Sequence, residues 1–166
     1  MEREPINMFI MLSQASSKVG ALLAKDQELA RLLKIMDEDA LSNKFPDVNW
    51  IEDLSYQHYI KNTPPSIMDD VKQAELHIYV PFGAKGANDE FSNIQLQFDV
   101  VCPMDRWQLS GLMTRPIAVM ERVYDLCDKK RVTGVGQLLF AGFELKTFDR
   151  SASNHAMIFD VNVING

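Results

Sequence analysis

The residues best suited to chemistry are scattered along the chain. His58, His77 and His155 are the three histidines of the 166 residues. No two stand four residues apart, and none neighbours a cysteine at metal-ligand spacing, so no zinc motif is present. Cys102 and Cys127 form no CxxC. They read as free, buried thiols made in a reducing cytosol. Cys102 with a distant histidine is formally a nucleophile pair. It precedes Pro103 at a strand end, with no basic group evident to lower its pKa. Ser110-Gly111 lacks the GxSxG elbow. Gly134-Val135-Gly136 is half of a dinucleotide fingerprint, but Leu139 stands where the third glycine belongs and the order is helix then strand. The pair reads as a turn that uses glycine's freedom at positive φ. Asp37-Glu38-Asp39 lacks the glycine and the distant glutamate of a calcium loop. These patterns predict no catalytic residue, no metal and no cofactor, hence a protein that is not an enzyme.

The elements that carry these residues follow from hydrophobic periodicity. Residues up to Met36 read as two helices. Phe9, Leu12, Val19, Leu22 and Leu23 form the first stripe. Asp26 is the N-cap of the second, with Leu29, Leu32, Leu33 and Met36 as its stripe. Residues 37–73 form a long connection in which Thr63-Pro64-Pro65 blocks both helix and central strand. Ala74–Phe82 alternates as a strand, with Leu76, Ile78 and Val80 inward and His77 facing outward. Ile94–Val101 alternates likewise and should pair with it antiparallel, ending at Pro103. Arg115-Pro116 opens a helix whose inner face is Ile117, Met120, Val123, Tyr124 and Cys127. Gln137–Phe148 is a strand or strand pair interrupted at Gly142. Asp149–Asn154 reads as a turn, with His155 as a turn residue, before the last strand, Ala156–Ile164. The order α-α-loop-β-β-α-β-β predicts one α+β domain: helical residues 1–36, the connection 37–73, then an antiparallel sheet with one packed helix over 74–166.

Three features are candidate contact surfaces. The stretch Gly83–Phe91 is long, polar and glycine-containing. Gly83, Lys85, Gly86, Asn88, Asp89, Glu90 and Phe91 are read as an arm that orders against another subunit. Lys129-Lys130-Arg131 suits the end of a helix dipole and could meet an acidic partner surface, for which Asp37-Glu38-Asp39 is the counterpart within the chain. Trp50, Tyr56 and Tyr59 would tether the long connection to the core or to a partner.

Composition bounds the function. With 17 basic and 23 acidic residues the net charge is −6, the wrong sign for a protein that coats nucleic acid. It does not exclude an acidic ring through which DNA slides without sticking, and composition by itself names no function. No stretch approaches the roughly 20 apolar residues of a membrane span, and Met1-Glu2-Arg3-Glu4-Pro5 lacks the basic start of a signal peptide.

Against this background the residues resemble a known family. Ala15–Ser42, with its paired leucines Leu22-Leu23 and Leu32-Leu33-Lys34 before an acidic turn, is similar to the opening of tailed-bacteriophage neck and tail-completion proteins. Phe98–Leu109, Arg115–Leu126 and Val132–Phe148 resemble their later strand, Arg-Pro helix and glycine-led strand. The residues carrying the likeness are Asn93, Phe98, Asp99, Trp107, Arg115, Pro116, Gly134, Gly136, Leu138 and Phe140. Residues 43–73 depart from the pattern. The resemblance implies a tail terminator-like fold and a homo-oligomer, a six-subunit ring that caps the tail tube. It would join the tube protein to head-completion and neck proteins, with DNA passing through the lumen unbound. Such a protein assembles in the host cytoplasm and resides at the head–tail junction of the virion. The alternatives are a head-closure (stopper) or other neck subunit and, from a different class, a small cytosolic ligand-binding domain or enzyme.

Overall fold

The computed structural model describes residues 8–66, 71–85, 91–149 and 151–162. Its architecture is α+β. Helix α1 spans Met8–Leu23 and α2 spans Gln27–Lys34. A short 3-10 turn, Ser55–His58, leads into β1 (Ile60–Lys61). Then come β2 (Glu75–Lys85), β3 (Phe91–Pro103), α3 (Arg115–Cys127), β4 (Arg131–Val132), β5 (Gly136–Phe148) and β6 (Ala152–Asn162). They form one six-stranded sheet in the order β1-β2-β3-β6-β5-β4. Every pairing is antiparallel except the short parallel contact of β1 with β2.

Register divides the sheet into two faces, because directly opposed residues point the same way. Ile78, Phe98, Met157 and Phe143 make one row across β2, β3, β6 and β5. That side carries the helices. Its centre is buried: Leu76, Leu96, Phe98, Leu138 and Phe159 have no exposed surface. Phe159 meets Phe98 and Phe140 edge to face, at centroid distances of 5.2 and 5.5 Å.

The break between α1 and α2 falls at Asp26, whose carboxylate accepts from the Leu29 amide at 2.8 Å as an N-cap should. The same carboxylate takes a bidentate pair from Arg122 of α3, at 2.9 and 2.6 Å. Arg122 therefore bolts the start of α2 to the middle of α3, and its hydrogen bonds hold the Asp26 pKa below the ordinary value against the opposing effect of burial. A depressed folded-state pKa stabilises above the unfolded value of 3.8 and is lost as pH falls through the folded one. Asp26→Asn, which keeps a capping oxygen but no charge, should cost about 1–2 kcal/mol near neutral pH. In urea unfolding repeated at falling pH the gap to wild type should narrow below 3.8, as the carboxylate becomes protonated in the unfolded and then the folded chain. A gap that persists in acid would assign the loss to something other than the ion pair.

Several expected boundaries move. β2 runs on through Gly83 and Lys85, and β3 begins at Phe91, so these three belong to paired strands. Gly86, Asn88, Asp89 and Glu90 lie outside the described residues. β6 begins at Ala152, making His155 a strand residue. The preceding turn is shorter than expected because the Asp149 carboxylate takes the amides of Ser151 and Ala152, at 2.7 and 3.0 Å. β5 is one strand, with a register shift rather than a break at Gly142. On α1, Val19 and Leu23 are buried while Phe9 and Leu22 are exposed. On α3, Ile117 and Tyr124 are exposed, and Ala118 and Val119 are buried beside Met120, Val123 and Cys127. Met36 lies beyond the end of α2 and is half-buried.

Candidate functional site

The three histidines do not converge into one constellation. His58 lies on the exposed 3-10 turn, where its carbonyl accepts from Gln73. His77 faces away from the helices, as expected, yet it is buried. Its Nδ1 meets the Thr63 carbonyl at 2.9 Å and its Nε2 meets Glu75 Oε2 at 2.8 Å. His155 lies on the helix side, 5.8 Å from the Trp107 ring, and burial lowers its pKa. Cys102 and Cys127 are free and buried, and burial pushes both thiols up to about 12, so neither is a thiolate at neutral pH. Among the described residues no three His, Cys, Asp or Glu side chains are grouped to hold a metal ion.

Sequence reasoning missed a polar network on the outer sheet face. Tyr79 donates to Asp99 Oδ2 at 2.7 Å, and Gln97 Nε2 bridges the Tyr79 hydroxyl and Asp99 Oδ1 at 2.7 and 2.8 Å. Burial, then the Asp99 hydrogen bond, drives the Tyr79 pKa well up. The tyrosine is therefore a fixed donor, and the network locks β2 to β3. The only advance signal was the outward placing of Tyr79, Gln97 and Asp99 on adjacent strands.

The sheet is open at both sides. β1 covers β2 only at Leu76 and His77, so among the described residues β2 pairs with β3 alone from Tyr79 to Lys85. β4 covers β5 only at Gly136 and Gln137, so among the described residues Ala141–Phe148 pairs with β6 alone. Beside the open part of β2 runs a groove of about 420 Å³, walled by Phe9, Leu12, Ser13 and Ser16 of α1. On the open part of β5, register directs Phe143, Leu145 and Phe148 to the helix side. Among the described residues no helix covers them, and they are 63%, 46% and 68% exposed.

The expected contact residues separate into two groups. Trp50 is fully buried and donates to the Ala24 carbonyl at 2.7 Å. Tyr59 and Tyr56 pack on it at 5.7 and 6.4 Å. These three fasten the connection to the end of α1, and Trp50 has no surface to offer a partner. Lys129, Lys130 and Arg131 are exposed, and among the described residues none makes an ion pair. Gly83 lines the α1–β2 groove.

Among the described residues the sheet carries helices on one face, has two partly paired edges and leaves an apolar strip of β5 exposed, and the fold is α+β. The family model of YomW matches residues 26–155, which is most of the chain, and the chain belongs to the YomW family. That family derives from a phage gene, YomW of a Bacillus prophage, and the protein is phage-related. No curated protein matches the chain. Among the described residues no helix is long and apolar enough to cross a membrane.

Proposed function

We propose that this chain is a virion structural protein, a tail terminator-like subunit of a ring that caps the tail tube and joins it to the head connector, and not an enzyme. The observation that supports this reading most is the open stretch of β5. Along Ala141–Phe148 the backbone groups that point away from β6 meet no further strand among the described residues, beside the exposed Phe143, Leu145 and Phe148. A protein that stayed alone would guard such an edge or bury such a strip, because both invite association. Membership in a phage-derived family supplies the setting. In this reading the partners are further copies of the chain, about six to a closed ring, with the tube protein on one side and neck proteins on the other. The net charge of −6 suits a lumen that lets DNA slide.

A head-closure subunit is the second reading. The feature favouring it is the ordered connection after α2, fastened through Trp50, in the stretch where the terminator-like pattern lapses. The test is the mass of the purified chain by light scattering across concentration, with negative-stain images of the same sample, and labelling of the chain in particles from the same genome. Closed rings located at the last ring of the tail tube support the terminator. Location on the head side selects head closure, and absence from the neck sinks both.

A further inference from the structure

Helix α3 holds two unlike corners apart. At its N-terminal end, the turn that precedes it carries Gly111 and Leu112, both with left-handed backbone, at φ 82° and 66°. Leu112 is 95% exposed. A leucine there is unfavourable twice over in the lone chain, since left-handed backbone strains a residue with a Cβ and its side chain gains nothing from water. The turn is stitched to the acidic run: the Ser110 amide donates to the Glu38 carbonyl at 3.0 Å and its hydroxyl donates to Asp39. Asp37, Glu38 and Asp39 make no ion pair among the described residues. The nearby Arg115 is buried and spends its guanidinium on carbonyls. Arg106 stands 4.0 Å from Asp105 and offsets it.

At the C-terminal end the signs are reversed. Lys129, Lys130 and Arg131 are exposed and make no ion pair among the described residues, and Asp128 between them and the helix is turned inward onto the Phe140 amide. Tyr124 and Leu139, partly exposed, supply apolar surface beside them. The 13 residues of α3 separate the two corners by about 20 Å at 1.5 Å per residue. One molecule cannot bring its own corners together.

We propose that the corners meet between copies: the Leu112 tip and its acidic rim in one protomer dock on the Lys129–Arg131 corner of the next. The occupant is a second copy of this chain, selected by complementary charge. Such a contact joins unlike surfaces head to tail, the arrangement that closes into a ring when the rotation allows. The proposal rests on the ring-subunit reading and names the contact that would build the ring.

The experiment measures self-association of the full chain by sedimentation, alongside thermal melting. Leu112→Gly relieves the backbone and removes the tip, so the melting midpoint should hold while association weakens about tenfold or more. The triple variant K129E/K130E/R131E should weaken association similarly, as should D37K/E38K. Mixing these two charge-reversed chains should restore assembly, because each again meets its opposite. Wild type that assembles while all three variants assemble equally well overturns this contact and leaves the ring reading standing. Wild type that stays monomeric up to about millimolar concentration overturns it too. Assembly as described, by a chain absent from the neck of the particle, would instead sink the ring reading and keep the contact.

Discussion

Replacing Arg115 by alanine is expected to lower stability by about 3–5 kcal/mol, the loss associated with breaking a buried charged network. For a chain of this size that is a fall in melting temperature of roughly 6–20 °C. Arg115 has no exposed surface. Its Nη1 donates to the carbonyls of Leu32 and Ile35 at 2.6 and 2.8 Å, Nη2 to that of Asp37 at 2.8 Å, and Nε to that of Arg106 at 2.9 Å. Two of these acceptors, Leu32 and Ile35, belong to the end of α2 and its cap, where unpaired carbonyls gather partial negative charge. The arginine is thus a C-terminal cap supplied by another helix. Arg115→Ala strips four carbonyls of their donor in a site too closed for water to replace it fully. Arg115→Lys should recover only part of the loss, because an ammonium cannot span acceptors that a planar fork reaches. Urea unfolding of the three proteins checks this. An alanine variant within about 1 kcal/mol of wild type would mean that the carbonyls find other donors.

Arg115 also shows where sequence reading stops. The Arg-Pro pair marks the start of α3, and the structure agrees. What the pattern does not say is why an arginine should stand there, since a cation at a helix N-terminus opposes that helix's own dipole. The misfit was a legible hint that its charge is spent elsewhere. The partner, the end of α2, lies some eighty residues earlier, at |i−j| of 83 and 80, and periodicity carries no information at that range.

Short-period patterns gave the four long strands and the α2 cap, because each is decided by neighbours within four residues; the two-residue strands β1 and β4 are too short to show a period and were missed. They failed on α1 for a physical reason. Its packed face includes the small residues Ala15, Ser16 and Gly20 beside Val19 and Leu23. A Cβ on Gly20 would sit 3.2 Å from Ile60 Cγ2, so smallness there permits close approach. A stripe drawn through the largest apolar residues instead picks Phe9 and Leu22, which are exposed. The same bias placed Ile117 and Tyr124 in the core and overlooked Ala118 and Val119. As for the candidate surfaces, the basic and acidic runs were visible as charge. Their placement at opposite ends of α3, and the Leu112 tip beside one of them, depend on tertiary folding that no local spacing encodes.

Trp50→Ala should be the second large loss, about 3–5 kcal/mol. The connection after α2 has little regular structure of its own, so its order depends on a few anchors. Trp50 fills a closed site against Tyr59 and Tyr56. Its indole donates at 2.7 Å to the Ala24 carbonyl, just past the end of α1, where helix carbonyls lack partners. The side chain therefore does two separable things. Trp50→Phe keeps most of the packing and loses the donor, so it should cost about 1–2 kcal/mol, the scale of one unsatisfied buried carbonyl. The alanine variant should also raise amide exchange across residues 45–60 ahead of global unfolding, because the anchor is local. Equal losses for the two variants would assign the whole effect to the hydrogen bond. A Trp50→Ala chain that melts like wild type, but assembles poorly, would move the residue from the core to a contact between subunits.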